Sequence, residues 1–325
     1  MRNLLIALPA AVLLLLPSAA AAQTCTTAGD MEPATRSALT STAQRYFTMV
    51  TQGDVASLRQ NSIPGLANSF AGVEAAVTEN KSALAGSTPV ARPPFELKAE
   101  GTEPLQRAEF LCGIFAGNGQ TANSTVFIIP NLPPGDYAFV ALDASTSKGS
   151  YTVSFVLQQE GGAWKMAGFY VKAAQAVGHD GAWYADKARE FKSKGQLRNA
   201  WLYASQAREL LVPVPFMGTL ATDRLYDEFH KPDDFPPTEL AAGAKTVRVT
   251  SAFPLPLPQE LALVVKYETA DASNTGQAYK DNVAVIHALM AKYPELRDAF
   301  EAVVARAVEP SGRDFGTLLA VKDIK

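Results

Sequence analysis

A switch in hydrophobic period part-way along the chain constrains the fold most. Between Thr35 and Gly53, the residues Leu39, Ala43, Tyr46, Phe47 and Val50 recur at helical spacing and form one apolar face. "QGDVASLRQ" then breaks the pattern, with Asp54 placed to cap a short helix through Leu58. "SFAGVEAAVTENKSALAG" sets Phe70, Val73, Val77 and Leu84 along one side of a further helix that stops at Gly86. After the breaker "STPVARPP" the period becomes 2. "RAEFLCGIF", "STVFIIP", "DYAFVALDA", "SYTVSFVLQQ" and "WKMAGFYVK" read as five strands, separated by "AGNGQTAN", "NLPPG", "STSKG" and "EGG". Strands this closely spaced predict an antiparallel meander behind the helices, which is the α+β order.

The N-terminus bears on the compartment. Residues 1–22, "MRNLLIALPAAVLLLLPSAAAA", carry a positive charge at Arg2, an apolar core from Leu4 to Leu16 and a run of small residues. This is the layout of a secretory signal peptide, with cleavage expected after Ala22 and a secreted or periplasmic product. The residues before Cys25, "AQT", lack the pattern of a lipid-attachment site. No later stretch approaches the length needed to span a bilayer. Cys25 and Cys112 are the two cysteines, and in an exported chain they suggest one disulfide, with two unpaired thiols as the other reading. The balance of 29 Lys and Arg against 32 Asp and Glu, with no basic cluster among aromatics, argues against a nucleic-acid partner.

The N-terminal half, about residues 33–173, resembles the NTF2-like (SnoaL, ketosteroid-isomerase-like) superfamily. The resemblance is carried by "RYFTMVTQGDVASL", by the order of helices before strands, and by the closing hairpin "FVLQQEGGAWKMAGFYV". It implies a cone in which helices pack on a curved antiparallel sheet around an apolar pocket. Enzymes of that superfamily place an acidic base and a tyrosine donor in the pocket. The residues that could play such parts here, or line the pocket, are Tyr46, Phe47, Glu109, Asp143, Tyr151, Trp164 and Tyr170. Alternation puts Arg107, Glu109 and Leu111 on one strand face; on the later strands Tyr137, Phe139, Asp143, Tyr151, Phe155, Trp164, Met166 and Tyr170 are expected to share sides. Which face turns inward is open, because a slip of one residue reverses every assignment.

The remainder divides into three parts. Residues 176–229 hold two helical stretches joined at "KGQ", with small residues at Ala188, Gly195, Ala200, Ala204 and Ala207. They resemble a single tetratricopeptide-like (TPR-like) helix hairpin, and a single copy must pack on a neighbour. Residues 230–245, "HKPDDFPPTELAAGAK", read as a linker. Residues 246–325 read as a small α+β unit. The expected domains are therefore 23–175, 176–229 and 246–325, after the signal peptide.

Little chemistry is written in the chain. His179, His230 and His287 are far apart, and no HExxH pattern or Cys/His zinc spacing occurs, so no metal site, cofactor or catalytic residue is assigned. His287 falls on an apolar helix face. Asp180 after His179 suits a helix N-cap, and "NST" at Asn123 fits a glycosylation acceptor. Three readings remain. The first is an exported non-enzymatic protein that binds a small apolar ligand or a protein partner. The second is an isomerase- or hydrolase-type enzyme using Glu109 or Asp143 with a pocket tyrosine. The third is a structural envelope-interaction protein. The lack of a dense acid, histidine and tyrosine constellation weighs against the second. Oligomeric state is not readable.

Overall fold

The computed structural model describes residues 23–116 and 119–324; the expected signal peptide, residues 1–22, lies outside them. The chain opens with strand β1 (Gln23–Thr27), then helices α1 (Pro33–Gln52), α2 (Val55–Gln60), α3 (Pro64–Asn68) and α4 (Ala71–Leu84). The 3.6-residue pattern placed the helices well. α1 buries Leu39, Ala43, Tyr46, Phe47 and Val50, α4 buries Val73, Val77 and Leu84, and Asp54 caps α2 by accepting from the Ser57 amide.

Strands β2 (Val90–Ala91), β3 (Phe95–Ala99), β4 (Leu105–Cys112), β5 (Phe115–Ala116), β6 (Gly119–Gln120), β7 (Thr125–Leu132), β8 (Gly135–Thr146), β9 (Gly149–Glu160) and β10 (Ala163–Ala173) follow. They do not form one meander. The main sheet runs β1-β3-β8-β9-β10, antiparallel throughout, with β2 beside the C-terminal part of β8. β4 and β7 pair with each other in a separate sheet. The break falls at Pro133 and Pro134 between β7 and β8. Neither offers an amide donor for a closing hairpin, so the chain crosses from one layer to the next.

The main sheet is covered on both faces. Ala138, Val140, Leu142, Val153, Phe155, Leu157 and Met166 point to α1 and α4. Leu97, Tyr137, Phe139 and Ala141 point the other way, onto Ala108, Phe110 and Phe127 of the smaller sheet. Cys25 of β1 is disulfide-bonded to Cys112 of β4, a link between the two layers.

The second half begins with the short hairpin β11 (Gln175–Ala176) and β12 (His179–Asp180), then helices α5 (Gly181–Ser193) and α6 (Leu197–Leu211). The Asp180 carboxylate accepts from the Trp183 amide and caps α5. β13 (Met217–Thr219) leaves this unit and pairs with β7, completing the smaller sheet as β13-β7-β4. After α7 (Leu220–Glu228) come β14 (Glu239–Ala242), β15 (Lys245–Pro256), β16 (Leu261–Glu268), α8 (Thr275–Lys292), β17 (Ala302–Val308) and β18 (Asp314–Ala320). They form a sheet in that strand order, in which α8 is the crossover between the parallel pair β16 and β17.

Two expected boundaries do not hold. Residues 176–229 and 246–325 share one hydrophobic core, in which Tyr184, Phe191 and Tyr203 of the hairpin meet Leu263, Val265, Tyr293 and Phe300. Residues 230–245 are not a linker. Phe235 is buried, its ring against those of Trp201 and Tyr293, and residues 239–242 are strand β14. Prolines and acids dominate the composition there, but Phe235, Leu240 and Ala242 are the side chains that fold it inward.

Candidate functional site

The site arises from a break in alternation on β10. On this strand Met166 faces the helices, and Tyr170, four positions on, would do the same in a regular strand. The register with β9 slips between Met166 and Gly168, leaving Ala167 as an extra residue in a β-bulge. Parity reverses beyond it. Phe169 and Val171 now face the helices, and Gly168 and Tyr170 face the smaller sheet. A Cβ on Gly168 would sit 3.2 Å from the Tyr170 ring and 3.3 Å from the Val156 side chain, so glycine lets that ring lie across the sheet.

Over this surface passes the strap from α6 to β13. Val214 enters the layer between the two sheets, and the Ile128 amide donates to the Phe216 carbonyl at 2.9 Å. Lys172 on β10 donates to the Val212 carbonyl at 3.1 Å. The Phe216 ring meets the Tyr170 ring edge-on at 5.5 Å. Beneath them lies a cavity of about 370 Å³, walled by Ile129, Pro130 and Leu132 of β7, Val156 of β9, and Tyr170 and Phe216. Pro133, Tyr137, Gln158, Ile63 and Ala167 complete it. An open groove of about 600 Å³ runs along Val126, Ile128 and Met217 on the outer side and shares Pro130 and Phe216 with the cavity.

Polar groups are few and spaced apart. The Tyr137 hydroxyl donates to the Pro133 carbonyl at 2.9 Å. Tyr170 is 37% exposed, and burial of the rest of its ring holds its phenol above the usual range. The Gln158 amide is a third. Directly across the ladder from Tyr170 stands Ser154, whose buried hydroxyl has no hydrogen-bond partner among the described residues. The arrangement can enclose an apolar molecule and offer it one or two hydrogen bonds. Among the described residues, its lining holds no carboxylate beside a tyrosine hydroxyl.

Of the seven residues singled out from the sequence, Tyr170 lines this cavity. Tyr46 and Phe47 are buried on the helical side, where the Tyr46 hydroxyl donates to the carbonyls of Asn61 and Trp164, each at 3.0 Å. Trp164 and Tyr151 pack against that same core. Glu109 points outward from β4, paired with Arg107 at 3.5 Å. Asp143 is on the same sheet face as Tyr137 but at the far end of β8, where Arg92 binds both its oxygens at 2.8 and 2.9 Å. Thus Tyr137, Phe139, Asp143 and Tyr170 share one face, and Tyr151, Phe155, Trp164 and Met166 the other.

Sequence reasoning missed Phe216, Pro130 and Val156. Val156 was legible as a strand residue of period 2; Phe216, in "VPVPF", gave no signal of where its segment would dock. His179 stacks on Trp183 at 3.7 Å, and among the described residues no three His, Cys, Asp or Glu side chains gather as a metal site. No described helix is long and apolar enough to cross a membrane. Comparison with known protein families, with characterised proteins and with solved structures returns no match.

Proposed function

We propose that this chain is an exported, non-enzymatic protein that binds a small apolar ligand between its two N-terminal sheets. The observation that carries the reading is the cavity under Tyr170 and Phe216, apolar on most of its wall and rimmed by isolated phenol and amide groups. Export rests on the signal-peptide layout of residues 1–22 and is supported by the Cys25–Cys112 disulfide. The NTF2-like resemblance is part of this reading, with one change. The helical side of the main sheet is filled by Tyr46, Phe47, Phe155 and Met166, so the ligand is placed on the opposite face. An isomerase- or hydrolase-type role would need a carboxylate in the cavity, and both candidate acids are engaged by arginines elsewhere.

The test is native mass spectrometry of protein purified from an exporting host, with a titration of the apolar fluorophore N-phenyl-1-naphthylamine. Val156→Trp puts an indole into the cavity. The expected result is saturable fluorophore binding that this variant weakens by about tenfold, with the far-ultraviolet circular dichroism unchanged. Binding that is absent, or indifferent to Val156→Trp, overturns the reading.

A further inference from the structure

Among the described residues, the lining of the cavity under Tyr170 and Phe216 carries no charged side chain. The strands behind it offer none either. β7 and residues 212–217 have no acid or base in sequence. Lys172, two positions beyond Tyr170 on β10, is held by the Glu209 carboxylate at 2.7 Å and by the carbonyls of Glu209 and Val212. Lys165 pairs with Glu160 at 3.0 Å, and Asp143 with Arg92 at 2.8 Å. Asp136 precedes Tyr137 by one residue and so faces the other side of the main sheet. An ionised head group would enter the cavity without a counter-charge, at the full cost of leaving water.

The polar corner is more specific. Tyr137 and Gln158 stand directly opposite each other across β8 and β9. Their side chains converge over Gly135, where a Cβ would lie 3.0 Å from Gln158 Nε2 and 3.4 Å from the Tyr137 ring. The Tyr137 hydroxyl spends its hydrogen on the Pro133 carbonyl at 2.9 Å. Its oxygen therefore meets a ligand as an acceptor, and Pro133 has no N–H to add. The Gln158 amide beside it donates from Nε2. An acceptor and a donor side by side match a group that gives and takes a hydrogen bond through one oxygen, which is a hydroxyl. An ether or carboxylate oxygen cannot donate, and would set its lone pairs against those of Tyr137.

Taking the cavity as the ligand site, as proposed above, we infer that its occupant is a neutral alcohol, an apolar chain or ring held by one hydroxyl between Tyr137 and Gln158. The apolar body lies against Ile129, Leu132 and Val156 and the rings of Tyr170 and Phe216. Carboxylates and alkylammonium ions of the same length are turned away, because nothing in the wall answers their charge.

Displacement of N-phenyl-1-naphthylamine at pH 8, from protein purified as above, tests this with four probes. They are 1-octanol, its isomer heptyl methyl ether, octanoate and octyltrimethylammonium. 1-Octanol is expected to bind tightest, ahead of the ether by about fivefold, the worth of one hydrogen bond. It should lead both ions by about tenfold or more. Gln158→Lys puts an ammonium beside Tyr137 and should reverse the order of 1-octanol and octanoate, a gain that loss of folding cannot produce. With the fluorophore bound and sensitive to Val156→Trp, an ether or an ion that matches 1-octanol overturns the alcohol assignment and leaves the apolar-ligand reading standing. So does a Gln158→Lys protein in which octanoate gains nothing. Absence of fluorophore binding removes both.

Discussion

The ring of Tyr170 on β10 and the ring of Phe216 on the inter-unit strap meet edge-on, with centroids 5.5 Å apart. Phe216 is thereby both a wall of the cavity and a tie between the two halves of the chain. Phe216→Ala should weaken fluorophore binding about tenfold and lower stability by about 1–3 kcal/mol, below the cost for a wholly buried phenylalanine because this ring is partly exposed. Urea unfolding and the fluorophore titration read the two effects separately. Loss of stability without loss of binding would leave Phe216 as a structural tie alone.

Tyr46 makes the contrasting case. Its hydroxyl serves two carbonyls, Asn61 after α2 and Trp164 on β10, and so pins α1 to the strand that carries the bulge. Tyr46→Phe removes the donor: the Asn61 carbonyl keeps the Met166 amide as a partner, and the Trp164 carbonyl loses this one, at an expected cost of about 1–2 kcal/mol. Binding should not change, since the residue is on the far side of the sheet. Thermal melting and the same titration check this; unaltered stability would mean the Trp164 carbonyl finds water.

How much of this was legible in the sequence depends on the physical signal. α1 was plain because Leu39, Ala43, Tyr46, Phe47 and Val50 all obey one period and all face one core. The disulfide was suggested by two cysteines behind a signal-peptide layout, a reading that left two unpaired thiols open until the structure joined them. The face of Tyr170 was not legible. One extra residue, Ala167, reverses the parity of a strand, and neither Gly168 nor its neighbours announce a bulge by type. β3 was missed because "FELKA" is short and follows a proline-rich breaker. The split of the meander and the docking of β13 on β7 depend on contacts between residues far apart in the chain, which local pattern does not encode.

The Cys25–Cys112 bond closes a separation of 87 residues between an edge strand of the main sheet and the smaller sheet. Cross-linking over such a span stabilises by about 4–5 kcal/mol if the effect is mainly loss of unfolded-chain entropy. Cys25→Ala with Cys112→Ala should therefore shift the urea midpoint markedly. It should also raise amide exchange in Phe95–Ala99, whose outer neighbour β1 loses its anchor. A double variant with an unchanged midpoint would show that layer packing alone holds β1 in place.

Alkaline pH should unfold the protein through its second core. Burial, with a contribution from the nearby Glu301 charge, pushes the Tyr184 phenol up to about 12, and raises Tyr203 further. Tyr267 is likewise pushed up to about 12 by burial. Two of the three hydroxyls also donate, Tyr184 to the Ala176 carbonyl at 3.1 Å and Tyr203 to that of Ala299 at 2.7 Å, and a phenolate cannot. In the unfolded chain these groups ionise near pH 10. Below that pH both states keep the proton and stability does not depend on them. Above it the unfolded chain releases protons that the folded chain retains, so the unfolding free energy falls by up to about 1.4 kcal/mol per pH unit for each tyrosine. The decline continues until the folded-state values are reached, near pH 12 for Tyr184 and Tyr267. Urea unfolding between pH 8 and pH 11 measures the slope, and phenolate absorbance measures the delayed ionisation. Tyr203→Phe removes one contributor, and the slope above pH 10 should become shallower in that variant. A native absorbance titration centred near pH 10 for all ten tyrosines would show that these phenols are not held back by the core.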